Sequence, residues 1–358
     1  MKDFFGRSIR LVLMFAVAAT LSVSCSKDDS SGRLKLNQSA LFVEELGATE
    51  TVGFTASGVS SISIANLPGG WEAEPDLATG TLRVTAPSVI DEEHVESGNL
   101  ILTGHSVEGA NVSATLYVAI ASTKDLSAEQ SNCFVLTQPN TNYSFDATRR
   151  GESSETMPTA EVKIVWQTTT GLLQYLNLRD GKVSFYVGAD EDDDSKIETG
   201  NVLLGAYDAA GSLLWTWHLW ITDFDPAGKA VTLANGTTVM GCNLGAMNNA
   251  NSTTDEILES YGLYYQWGRK EPFIGPSEYN FTMGSSGAMY DGDSKRVYNS
   301  FDESDASKGT AEYAAAHPLS FLLGVEESRY DWLYASHSDA LWSSSAKSVN
   351  DPCPKGWR

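Results

Sequence analysis

Positive charge is scarce in this chain. Lys and Arg number 24 against 46 Asp and Glu, a formal charge of -22. A phosphate backbone or an anionic membrane surface would repel such a chain, so nucleic acid is excluded as a partner. Cysteine is also scarce, confined to Cys25, Cys133, Cys242 and Cys353. The five histidines are scattered, and there is no Gly-x-Ser-x-Gly, no His-Glu-x-x-His and no phosphate-cradling glycine loop. Acid pairs are too abundant for a glycosidase pair to be singled out. The run Asp190 to Asp194 could attract calcium, but it lacks the interleaved glycine and distal glutamate of an EF-hand loop. Contiguous carboxylates cannot all point at one ion, so the run reads as a solvated, self-repelling loop. No catalytic residue, metal site or cofactor is assigned, and an enzyme is not expected.

What the chain has is a succession of short Val/Ile/Thr/Tyr runs separated by Gly, Asn, Asp and Ser. Its 358 residues suggest roughly two or three domains. Between 34 and 121 the spacing predicts strands near Leu41–Val43, Thr51–Thr55, Ile62–Ile64, Thr81–Val84, Leu100–Leu102 and Ala114–Val118. Strands about ten residues apart with turns between them are the pattern of a β-sandwich. Trp71, just after the turn Leu67-Pro68-Gly69-Gly70, is expected to anchor one sheet on the other. Residues 121–130 read as a polar linker. A second β-sandwich is expected over 122–225, with strands near 132–136, 142–145, 162–166, 183–187, 201–207 and 213–221. Helical signals come late. Thr253 and Glu256 have capping-box spacing, and Thr310 to Ala316 reads as a short helix stopped by His317-Pro318.

The strand Leu213-Leu214-Trp215-Thr216-Trp217-His218-Leu219-Trp220-Ile221 is the most informative. Its odd positions are all apolar and define a core face, while Thr216, His218 and Trp220 share the other. An aromatic, an imidazole and a hydroxyl on one face could receive a sugar ring or a peptide. Equally, His218 could bond within a domain interface while Trp220 packs on the next module.

At the start, Lys2, Arg7 and Arg10 precede an apolar run from Leu11 to Val23, the length of a signal-peptide core rather than a membrane span. Small residues before Cys25 make this segment resemble the lipobox of bacterial lipoproteins. That resemblance implies cleavage after residue 24, acylation of Cys25 and anchoring in the outer membrane. Leu21 stands one position further from the cysteine than is usual in that motif. Lys27, Asp28 and Asp29 resemble the acidic tag that directs Bacteroidetes lipoproteins to the cell surface, with 25–33 as a tether.

The first sandwich resembles the Ig-like modules, including the BACON type, of such lipoproteins. From about 231, the blocks Met240-Gly241-Cys242-Asn243-Leu244-Gly245-Ala246, Tyr261 to Lys270 and Asn350 to Arg358 resemble the Fibrobacter succinogenes major paralogous domain. This likeness implies a C-type-lectin-like α+β fold over 231–358, akin to the formylglycine-generating enzymes. Cys242 departs from it, standing where a basic residue is usual. The whole is therefore expected to be mainly β: two β-sandwich (Ig-like) modules followed by a partial α+β C-type-lectin-like domain.

The expected function is non-catalytic recognition or adhesion at the cell surface, for a glycan or protein ligand, with Thr216, His218, Trp220, Tyr264 and Trp267 as candidate contacts. The alternative is a structural or assembly role, such as a fimbria-associated accessory subunit. In the resembled domain the Cys353 block lies mid-domain. The third domain is therefore expected to be truncated, with apolar surface around Trp342 and Trp357, and Cys353 paired with a cysteine beyond Arg358. A Cys242–Cys353 disulfide is the competing possibility.

Overall fold

A computed structural model of the chain describes residues 32–278, 286–343 and 345–358. Cys25, Lys27, Asp28 and Asp29 lie outside the described residues.

Alternation of apolar and polar positions builds the first sandwich. It contains β1 (Arg33–Leu36), β2 (Ala40–Val43), β3 (Thr49–Ser57), β4 (Val59–Ala65), β5 (Glu72–Asp76), β6 (Thr81–Thr85), β7 (Ser97–Ser106) and β8 (Val112–Ile120). One sheet has the order β1-β3-β6-β5 and the other β2-β8-β7-β4. Val52, Phe54, Leu82, Val84, Leu100, Leu102, Leu116 and Val118 fill the space between them. Each such side chain contributes roughly 1.5–3 kcal/mol by leaving water. Trp71 is buried among them, and its Nε1 donates to Val95 O at 2.9 Å. Gly70, at φ +78°, allows the turn that delivers it; a Cβ there would strike Pro87 and His94.

The second sandwich starts earlier than the linker reading allowed. Polar β9 (Ser122–Asp125) pairs in parallel with β11 (Thr141–Asp146), so the first part of the expected linker is a strand. Its backbone pairing overrides a composition that lacks apolar residues. With β10 (Cys133–Leu136), β12 (Glu161–Gln167), β13 (Gln174–Arg179), β14 (Lys182–Val187), β15 (Gly200–Tyr207) and β16 (Leu213–Ile221), it forms two sheets. Their orders are β13-β14-β11-β9 and β10-β16-β15-β12. The core joins Phe134, Phe145, Phe185, Trp215, Trp217 and Leu219, with Phe145 edge-on to Trp217 at 5.0 Å. Between the sandwiches, Phe42 stacks on Tyr186 at 4.9 Å and Tyr117 on Tyr175 at 4.7 Å.

Residues after 230 have little regular structure. Two short pairs occur, β17 (Val231–Thr232) with β18 (Thr238–Val239) and β19 (Ser300–Glu303) with β20 (Ser320–Leu323). Helix α1 (Thr254–Ser260) carries the expected capping box. Thr253 Oγ1 accepts from Glu256 N at 3.2 Å, and Glu256 Oε2 accepts from Thr253 N at 3.0 Å. Helix α2 (Ala311–Ala316) is capped by Thr310 and ends at His317. This segment adds secondary structure at both edges of the second sandwich. Tyr290 pairs with Gln167 beside β12, and Pro354 pairs with Cys133 beside β10. Both outer strands of sheet β10-β16-β15-β12 are thereby partnered at these points, which blunts edge pairing with other chains. Trp342 and Trp357 are half-buried rather than open, and Trp342 Nε1 donates to Asn350 O at 2.9 Å. No helix among the described residues is long and apolar enough to cross a membrane.

Candidate functional site

The even face of β16 lies beneath the third segment. Alternation along the strand sends Thr216, His218 and Trp220 away from the sandwich core, yet none of them exceeds 1 % exposure. As a ligand-receiving surface the trio is therefore corrected: its polar atoms are used internally. Trp220 Nε1 donates to Ala246 O at 2.8 Å, and its ring packs with Cys133, Ala246 and Leu244. Thr216 Oγ1 donates to Glu271 Oε1 at 3.0 Å and accepts from Lys270 Nζ.

His218 is held from several sides. Asn201 Nδ2 donates to Gly245 O at 2.9 Å, which aims Asn201 Oδ1 at His218 Nε2, 2.8 Å away. The imidazole is therefore the Nε2–H tautomer, and Nδ1 is left to accept. Tyr265 Oη and Cys133 Sγ each stand 3.4 Å from Nδ1 as donors. Among the described residues no anion faces the ring, and burial pulls its pKa down to about 3. Burial also raises the Tyr265 hydroxyl and the Cys133 thiol, so the cluster is neutral at physiological pH.

Beside it lies a buried charge group, Arg269, Lys270 and Glu271. Burial alone would raise Glu271, but Lys270 and Arg269 outweigh it and hold the carboxylate below its ordinary range. Burial pulls Lys270 below its usual value against the attraction of Glu271. Arg269 spends its guanidinium on main-chain carbonyls, at Ser320 (2.7 Å), Ala314 (3.1 Å) and His317 (3.2 Å). These groups fix the third segment's own loops, with Arg269 Nε held only at 3.7 Å from Glu271 Oε2 and making no hydrogen bond.

The structure separates Tyr264 from Trp267. Trp267 joins Trp342 (5.2 Å) and His337 (5.9 Å), and His337 is clamped by Asp331 at 2.6 Å and Asp339 at 3.0 Å, which raise its pKa. Tyr264 instead lines a groove of about 780 Å³. Its backbone pairs with Phe273, whose ring is buried against Phe321 at 5.1 Å. The parallel register of β19 and β20 sets Phe301 beside Phe321 at 5.8 Å. Tyr298 and Phe301 are about 71 % and 69 % exposed, and Tyr264 48 %. Asn299 also lines the groove, and its Oδ1 is buried with no hydrogen-bond partner.

Sequence reasoning missed Tyr298, Asn299 and Phe301. Their segment, Arg296-Val297-Tyr298-Asn299-Ser300-Phe301, reads as an ordinary half-apolar strand. Only the tertiary structure shows that Tyr298 and Phe301 face out, the latter on a strand paired with Ser320–Leu323. The Asp190–Asp194 run is a loop whose carboxylates cap its own backbone: Asp190 Oδ1 accepts from Asp192 N at 2.9 Å and Asp193 N at 3.1 Å. Among the described residues no group of three or more His, Cys, Asp or Glu could hold a metal ion.

No protein-family model matches the chain, and no curated protein sequence matches it. Among solved structures it is similar over 26 % of its length to a Bacteroides ovatus GH5 xyloglucanase in complex with a XXXG heptasaccharide, at 11 % identity, TM-score 0.20 and 20 % of that chain. The human desmocollin-1 ectodomain matches 55 % of this chain and 41 % of its own, at 14 % identity and TM-score 0.20. The Ig1-2 module of the Drosophila receptor protein tyrosine phosphatase DLAR matches 53 % and 98 %, at 12 % identity and TM-score 0.19. The first two matches thus span less than half of the proteins concerned. The chain is mainly β, and its first two units are each built of two facing sheets.

Proposed function

We propose that this protein is a non-catalytic recognition protein, anchored to the outer membrane through Cys25 and displayed at the cell surface through Lys27, Asp28 and Asp29. Its two sandwiches act as a stalk, and its ligand is a neutral glycan held in the groove of the third, lectin-like segment. The observation that carries this reading is the gathering of outward aromatic rings, Tyr264, Tyr298 and Phe301, on one groove. Pyranose rings stack their C–H faces on aromatic side chains. The charge of -22 favours neutral sugars over acidic ones.

Screening the purified ectodomain on a glycan array, beside Tyr298→Ala and Phe301→Ala variants, tests the reading. Binding to neutral oligosaccharides that both variants lose supports it. An array without hits, together with capture of a pilus component, would replace it with the structural or assembly role.

A further inference from the structure

The last turn of the chain is stitched to the start of β10. Asn132 Nδ2 donates to the carbonyls of Val349 (2.7 Å) and Asp351 (2.9 Å), and Lys355 Nζ reaches Ala128 O at 2.6 Å. Ser131 Oγ joins the two backbones directly, accepting from Cys133 N at 3.3 Å and donating to Cys353 O at 3.2 Å. Cys133 itself forms a parallel bridge with Pro354. From the other side, Lys347 Nζ holds the turn through the carbonyls of Cys353 (2.7 Å), Pro354 (3.0 Å) and Trp357 (2.7 Å). Bridged strands lie about 4.7–4.9 Å apart. Cys353 is the immediate neighbour of the bridged residue, which brings its backbone to the Cα separation of roughly 4.4–6.8 Å that a disulfide spans.

Both thiols lie within electrostatic reach of one group, the Tyr265 hydroxyl. Cys133 Sγ lies against His218, and Tyr265 Oη lies against the same imidazole nitrogen. Cys242 packs near Cys133 in the same apolar cluster. Among the described residues, however, no hydrogen bond or bridge ties its backbone to residue 133 or 353. All three thiols are unpaired in the structure.

We propose that Cys133 and Cys353 form a disulfide that locks the third segment onto the edge of the second sandwich. Two S–H bonds break and one S–S bond forms. The two protons and two electrons pass to an acceptor disulfide, protein or low-molecular-weight, which is reduced to two thiols. Only the source of that oxidant depends on the proposed export; the geometry does not. Burial pushes the Cys353 thiol up to about 12 and Cys133 well above its usual value, so thiolate is scarce once the turn has docked. The bond therefore closes during docking and acts as a structural cross-link. Cys242 remains the free thiol.

The test is to refold the full chain carrying Cys25→Ala in a glutathione redox buffer and map its peptides without reduction. The expected result is a Cys133–Cys353 linked peptide, one maleimide-reactive site at Cys242, and the same link in a Cys242→Ser variant. A Cys133–Cys242 or Cys242–Cys353 link, or three free thiols, would overturn the proposal. Cys133→Ala is expected to free Cys353 for labelling; if that variant does not fold, the wild-type map alone decides. Reduction is expected to speed proteolytic release of the third segment several-fold, and an unchanged rate would overturn the locking role. Cell fractionation reads export separately, so failure of the surface assignment is distinguishable from failure of the cross-link.

Discussion

Acidification should weaken this fold through one imidazole. His218 is buried and neutral, with its pKa pulled from 6.5 to about 3. Unfolding returns it to its ordinary value, so below pH 6.5 the unfolded chain binds a proton that the folded chain refuses. The contribution is fully present above pH 6.5 and is lost as pH falls toward 3, at about 1.4 kcal/mol per pH unit. From pH 6.5 to about 5 this removes ~2 kcal/mol, and the full span ~5 kcal/mol. Tyr265 and Cys133, the other groups on the ring, stay neutral throughout that window because burial raises both. His337 acts with the opposite sign, since its raised pKa adds stability as pH falls through its titration. Comparing wild type with His218→Gln removes that term, because both chains carry His337. Urea unfolding followed by tryptophan fluorescence at about pH 7, 6 and 5 is the assay. Wild type should lose ~2 kcal/mol more than the variant across it. Parallel pH profiles for the two chains would refute the neutral, buried imidazole.

Trp220→Ala should cost about 3–5 kcal/mol and orphan Ala246 O; in hydrogen exchange, protection should fall at residues 240–247 while the first sandwich is unchanged. Gly245→Ala should cost about 2 kcal/mol, because φ is +77° and a Cβ would meet Leu263 at 2.6 Å and Asn201 at 3.0 Å; thermal melting reads this directly. Cys25→Ala should release the protein from the membrane, whereas replacing Lys27, Asp28 and Asp29 should keep it anchored but shielded from protease added to whole cells.

The two sandwiches were legible because their strands alternate with a period of two and end at turn residues. Strands without apolar alternation were not: Ser122–Asp125 is polar and Glu72–Asp76 is acidic with a proline, and each exists through its backbone pairing, the first with Thr141–Ser144 and the second with the adjacent strand Thr81–Thr85. The face of Thr216, His218 and Trp220 was identified from β16 alone, but what covers it was not. The covering residues, Ala246, Tyr265 and Glu271, come from a segment with almost no periodic structure, whose path is set by buried polar bonds rather than by pattern. For the same reason Tyr264 and Trp267, three residues apart, looked like one site, although each joins a different aromatic group. The neighbourhood of Cys133 and Cys353, 220 positions apart, leaves no trace in spacing.

Hydroxyl-radical footprinting of the ectodomain, with and without the glycan that binds best on the array, tests the central claim most directly. The account predicts that ligand protects Tyr264, Tyr298 and Phe301 from oxidation, while Trp220 and Trp217 are unreactive in both states. Protection at Trp267 and Trp342 without change at Tyr298 and Phe301, or oxidation of Trp220 that ligand suppresses, would contradict it.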